Sequence, residues 1–334
     1  MRLVSLLCVC ALSAAGAEVF QLPTANRFVL DPGAEEKAYV GTVGKPWITG
    51  TFGCIRTEGW QMHEGLDIRC LQRDKRGEPL DPVLATADGD VAYINTRAGY
   101  SNYGIYIILR HHVEHIDVFS IYAHLREIRA GLKPGVAVKT GEQIAVMGHT
   151  TNTRQGISKD RAHVHFELTL LVNDHFANWF RNNRPGERND HGDWNGQNLL
   201  AMDPREILLT QKQQGARFSI LNFIRQQPEL FRVLVRDAQF PYLQRYAPLA
   251  LPNPSLGTNA IAGYEVSCNF NGIPIALIPR AAGDFPAKSR VKLLSVNEAE
   301  YQSNHCRKLV TKRSGHWELT QTGAHLIDLL IFSL

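Results

Sequence analysis

The chain has 334 residues, of which 44% are apolar and 20% charged, with 27 Gly, 16 Pro and a net charge of +4. That balance excludes a disordered or collagen-like chain, and the length suits about two domains. The scattered charges form no basic-aromatic nucleic-acid motif, so no nucleic-acid partner is expected.

In chain order, Arg2 precedes an apolar run from Leu3 to Ala15, closed by Ala15-Gly16-Ala17, small residues that suit signal peptidase. The run is shorter than the roughly 20 apolar residues a membrane span needs. Residues 1–17 therefore read as a signal peptide, and the mature protein is expected to be exported, periplasmic or secreted, without a membrane span. Cys8 and Cys10 leave with the signal, so Cys54, Cys70, Cys268 and Cys306 remain. Outside the cytoplasm these are expected to form disulfides, and four cysteines permit three pairings.

Residues 18–172 read as one mainly β unit with an N-terminal lead-in. Short alternating runs such as Gly89–Ile94, Ile105–Leu109 and Ala162–Leu168, punctuated by Gly, Asn and Asp, predict antiparallel strands in a sheet or sandwich. Residues 173–202 are rich in Asn, Arg and Gly and read as a long loop or linker. A smaller α+β domain is expected over 203–334. Asp203-Pro204-Arg205-Glu206 carries an N-cap, a first-turn proline and a first-turn acid. Helical spacing then continues from Ile220 through Leu230, Phe231, Leu234 and Val235 to about Tyr246. Asn271-Gly272, between Tyr264–Phe270 and Ile273–Ile278, predicts a hairpin. Residues 205–334 hold 15 Lys and Arg against 9 Asp and Glu, whereas 18–204 hold 20 against 23. The basic C-terminal part is compatible with attachment to an anionic polymer or with a structural cap on the first domain.

The chemistry-bearing residues cluster before the linker. In a strand, His163 and His165 point to one face, since side chains alternate with period two. His63-Glu64-Gly65-Leu66-Asp67 supplies an imidazole and a carboxylate four residues apart, with Gly65 giving the backbone freedom between them. Two imidazole nitrogens and one carboxylate oxygen suit zinc and leave a fourth position for water, the pattern of a catalytic site. Glu167 shares the strand parity of the histidines and is placed to orient a ligand or to serve structure. Of the other histidines, His111, His112 and His115 lie in an expected hairpin connection, His149 follows a glycine, and His175, His191, His305, His316 and His325 have no partner at metal spacing; all read as surface or satisfied core residues.

From about Pro46 through Leu168 the sequence resembles the lysostaphin/LytM-type zinc metallopeptidases, a family of murein endopeptidases. The blocks that carry the resemblance are Ile48–Gly53, His63–Ile68, Val83–Gly89, Tyr122–Leu125, Lys139–Ala145 and His163–Glu167, in that order. The resemblance implies one Zn2+ held by His63, Asp67 and His165, with His124 and His163 as catalytic residues over its open side. It leaves open which of the two is the general base. The implied activity is hydrolysis of peptide cross-links in bacterial peptidoglycan, with the peptide stems as partner. A LytM-like domain that activates other wall hydrolases without catalysis, and a zinc peptidase for other proteins, are the alternatives. Gln72–Pro82 is longer than the family's turn and Gly156–Arg161 lacks its usual Gly-Pro, which bears on substrate preference. Cys54 and Cys70 bracket His63 and Asp67, so a Cys54–Cys70 disulfide is expected to brace the metal loop, worth on the order of 3 kcal/mol. Cys268–Cys306 is then the second expected bridge.

Overall fold

The computed structural model describes residues 18–286 and 289–334; the predicted signal segment lies outside them. Two short strands, β1 (Gly53–Arg56) and β2 (Gln61–His63), form a hairpin, and β3 (Leu66–Arg69) follows directly. Next come β4 (Pro82–Leu84), β5 (Gly89–Asn95), β6 (Tyr106–Val113), β7 (Ile116–Ala123), β8 (Glu127–Ile128), β9 (Ala137–Val138), β10 (Gln143–Val146), β11 (His163–Leu171) and β12 (Leu199–Met202). The main sheet is antiparallel in the order β12-β11-β7-β6-β5-β9, and β3 lies end to end with β12 along the same edge of β11. A smaller sheet, β4-β10-β8, packs beside it.

The near-continuous apolar runs of β6, β7 and β11 follow from burial on both faces of the sheet. Ile107, Leu109, Val118, Tyr122 and Phe166 enter the larger core, while Tyr106, Ile108, Phe119 and Ile121 enter a second cluster covered by Leu199 and Trp194. After Asp203, whose side chain accepts from the Arg205 and Glu206 amides, the helix Pro204–Gln214 begins as its cap predicts. The C-terminal part holds a four-stranded sheet of β13 (Phe231–Val235), β14 (Gly263–Cys268), β15 (Pro274–Arg280) and β16 (Val291–Val296). A hairpin of β17 (Val310–Arg313) and β18 (His316–Leu319) and the helix Gln321–Leu330 complete it. The fold is thus a mainly β unit built on antiparallel sheets, followed by a smaller α+β part. No helix among the described residues is long and apolar enough to cross a membrane.

Three expectations are corrected. Residues 173–202, read as a linker, contain the helix Phe176–Asn183, which buries Phe176, Trp179 and Phe180, and the edge strand β12. Their polar side chains satisfy backbone groups inside the fold: Asn198 donates to Asn173 O at 2.8 Å, and Asn173 donates to Leu329 O at 2.6 Å. Residues 231–235, read as helical, form β13, flanked by β14 and β16; a five-residue apolar run fits either period, and here pairing on both sides decides.

The third correction concerns the cysteines. Cys54 is bonded to Cys306, with Cα atoms 5.4 Å apart, while Cys70 and Cys268 are free and buried. Cys54 sits in the β1–β2 hairpin opposite Met62, whereas Cys70 follows β3, which belongs to the main sheet. There the Cys70 thiol lies 3.0 Å from both Gln72 O and Asp81 Oδ2. Cys268 is fully buried inside the C-terminal sheet.

Candidate metal centre

The ladder between β3 and β11 sets Asp67 directly opposite His165. Residues paired across a ladder share a face, so the carboxylate and the imidazole converge without a long loop between them. His63 ends β2 and turns in beside them. Gly65 makes that turn possible by having no side chain: a Cβ there would stand 2.4 Å from Phe166 O and 3.0 Å from His165 Cε1. Close approach, rather than backbone freedom, is what this glycine supplies.

His63 Nε2 lies 3.1 Å from His165 Nδ1 and 3.2 Å from Asp67 Oδ1, and His165 Nδ1 lies 2.8 Å from the same oxygen. Zinc bonds near 2.05 Å place tetrahedral ligand atoms about 3.3 Å apart, so this donor triangle is of the right size and chemistry to hold that ion. The remaining ring nitrogens are also committed. His63 Nδ1 donates to Thr51 O at 2.6 Å, and His165 Nε2 donates to Glu167 Oε1 at 2.8 Å, which directs the lone pairs of the opposite nitrogens into the triangle. Tyr103 donates to the same Glu167 oxygen at 2.6 Å, and Arg56 donates to the outer oxygen of Asp67 at 2.7 Å.

His124 and His163 stand beside the triangle with ring centroids 4.8 Å apart. His124, just past β7, has φ 60, a left-handed conformation rare outside glycine, and its Nδ1 donates to Thr150 O at 2.8 Å. His163 Nδ1 donates to Arg161 O at 2.7 Å, and its Nε2 lies 3.5 Å from Asp67 Oδ1. Burial pushes both imidazoles below their ordinary range, so they are neutral at pH 7 and their Nε2 atoms are proton acceptors. Burial opposes charge on Asp67 and His165 too, but it is outweighed. The His63 and His163 imidazoles and the His165 hydrogen bond hold Asp67 well below the carboxylate range, and the bonds to Asp67 and Glu167 carry metal-free His165 up to about 9.

The cluster opens on a groove of about 1140 Å³ whose lining includes Tyr103, Asn152 and Gln197 and, from the C-terminal part, Arg307, Lys308 and His325. Residues 61–178 match the family described as Peptidase family M23.

This segment belongs to peptidase family M23.

Solved structures that resemble the chain include the catalytic domain of a prophage-encoded M23 protein, EnpA, from Enterococcus faecalis (21% identity over 35% of this chain and 75% of that one, TM-score 0.27). Others are the catalytic domain of the antimicrobial peptidase lysostaphin from Staphylococcus simulans (20%, 48% and 86%, TM-score 0.28) and a zinc-containing peptidase from Vibrio cholerae (25%, 40% and 30%, TM-score 0.24). The chain thus spans under a third of the Vibrio protein. No curated protein matches the chain.

All five sequence-predicted residues of the M23 segment, His63, Asp67, His124, His163 and His165, meet at the groove floor. Arg56, Tyr103 and the carbonyls of Thr51, Thr150 and Arg161 had no sequence signal, because each reaches the cluster from a different element. Of the nine histidines set aside, His111 is buried between Asp88 O and Ser120 Oγ, and His149 lies 3.2 Å from Glu78.

Proposed function

We propose that the protein is an exported zinc metalloendopeptidase that hydrolyses peptide cross-links of bacterial peptidoglycan. The observation that carries this reading is the buried His63–Asp67–His165 triangle opening on a groove within an M23 segment. His63, Asp67 and His165 hold the ion; zinc in such a site lowers the pKa of water to roughly 7 and polarises a carbonyl. His124 and His163 do the proton work: each has Nδ1 tied to a carbonyl and a neutral Nε2, able to take a proton from water or, once charged, to donate one to the leaving amine. Glu167 fixes the His165 ring, Tyr103 fixes Glu167, and Arg56 holds the outer oxygen of Asp67 through a hydrogen bond.

The test is zinc content together with amine release from purified sacculi, for wild type, chelator-treated protein and His63→Ala. Loss of both in the treated and substituted proteins is expected; cleavage that survives either would overturn the reading. Zinc without sacculus cleavage, but with stimulation of a separate wall hydrolase, would favour the activator alternative. Cleavage of casein in preference to sacculi would favour a peptidase for other proteins.

A further inference from the structure

One wall of the groove comes from the C-terminal part, through residues 306–309. Cys306 is bonded to Cys54 in β1, the His305 ring packs on Trp60 with centroids 4.2 Å apart, and Arg307 faces Glu64, the neighbour of His63. The far end is equally fixed. The Lys308 amide donates to His305 O at 3.0 Å, Thr320 Oγ1 donates to Lys308 O, and Gly323 packs so closely that a Cβ would stand 2.0 Å from Leu309 O. This clamping holds Lys308 at φ 51 on the groove rim. A lysine kept in a left-handed conformation by its surroundings marks a position where placement outweighs backbone preference.

The charges on this wall have no close carboxylate partner. Arg307 meets Glu64 only in a long ion pair at 3.5 Å, beyond charge-assisted hydrogen-bond distance, and Lys308 is exposed and makes no ion pair among the described residues. The groove as a whole is lined by six Lys and Arg side chains against three carboxylates. The other four are engaged: Arg56 with Asp67, Arg188 with Asp190, Arg184 with Glu187, and Arg161 with Gly41 O.

We propose that Arg307 and Lys308 form a carboxylate-binding subsite, so that the groove selects peptides bearing a free carboxylate close to the scissile bond. The inference rests on the peptidase reading above. A rigid guanidinium fork beside an ammonium recognises a planar carboxylate and loses that recognition when the carboxylate becomes an amide. The subsite thereby gives the C-terminal part a role in substrate choice.

The experiment compares a defined muropeptide dimer with the same dimer carrying amidated carboxylates, using the full-length zinc-loaded protein, Arg307→Gln/Lys308→Gln and Arg307→Lys. Wild type is expected to show kcat/KM about tenfold higher on the acid form, mainly through KM. The double variant should bring the acid-to-amide ratio near one, and Arg307→Lys should keep part of the preference. Equal wild-type rates on the two dimers, or a double variant that loses the same factor on both, overturn the subsite. Calorimetric binding of both dimers separates this from failure of the peptidase reading. If neither dimer is cut, acid-selective binding that disappears in the double variant upholds the subsite while the peptidase reading falls, and equal binding overturns the subsite.

Discussion

Glu167 Oε1 accepts two hydrogen bonds at once, from His165 Nε2 at 2.8 Å and from the Tyr103 hydroxyl at 2.6 Å. The carboxylate is buried, 1% exposed, and these two donors satisfy its Oε1. Its bond selects the His165 tautomer whose Nδ1 lone pair faces Asp67. Glu167→Ala is therefore expected to lower zinc affinity roughly 10- to 100-fold, as removal of such a supporting carboxylate does elsewhere. Tyr103→Phe should give a smaller loss in the same direction. Competition with a chelating dye measures both; wild-type affinity in Glu167→Ala would show that the ring is oriented by packing alone.

Gly65 is hemmed in by the backbone of β11. Gly65→Ala should cost roughly 1–3 kcal/mol through overpacking and should displace His63 from its partners. Unfolding midpoints and zinc titration of the variant test the two halves of this expectation, and unchanged values in both would contradict the close approach.

The Cys54–Cys306 bond joins residues separated by 252 positions. Closing so long a loop in the unfolded chain stabilises the native state by on the order of 5 kcal/mol at most, and 2–4 kcal/mol is typical. Cys306→Ala should lower the unfolding midpoint and the rigidity of the groove wall together. Peptide mapping of the unreduced protein should recover the fragments containing Cys54 and Cys306 as one species. Cys70 and Cys268 should be alkylated only after unfolding, because both are buried. A linked Cys54–Cys70 fragment would refute the pairing.

His111, in β6 of the main sheet, is fully buried, with Nδ1 to Asp88 O at 2.8 Å and Nε2 to Ser120 Oγ at 2.7 Å. Burial lowers its pKa in the folded protein, while in the unfolded chain it returns to about 6.5. Below that pH the unfolded state binds a proton that the native state does not, so stability falls as pH falls, by up to about 1.4 kcal/mol per unit from this group. His111→Gln should flatten the pH dependence of the unfolding midpoint between pH 7 and 5. His124 and His163 are present in both proteins, so the difference between the two curves isolates His111. Parallel curves would mean that His111 titrates in place.

What the sequence determined by itself was local. Period-two spacing placed His163, His165 and Glu167 on one face, Asp203 announced the helix Pro204–Gln214, and Asn271-Gly272 announced the β14–β15 turn, because each signal lies within a few residues and depends on backbone geometry alone. The tertiary structure decided whatever depends on a distant partner. Phe231–Val235 became a strand because β14 and β16 pair with it, and 173–202 became helix and edge strand because the core received Phe176, Trp179 and Phe180. Arg56 and Tyr103 joined the cluster from elements with no motif. Cys54 took Cys306 instead of nearby Cys70, because a disulfide requires Cα atoms within about 7 Å in space and is indifferent to separation along the chain.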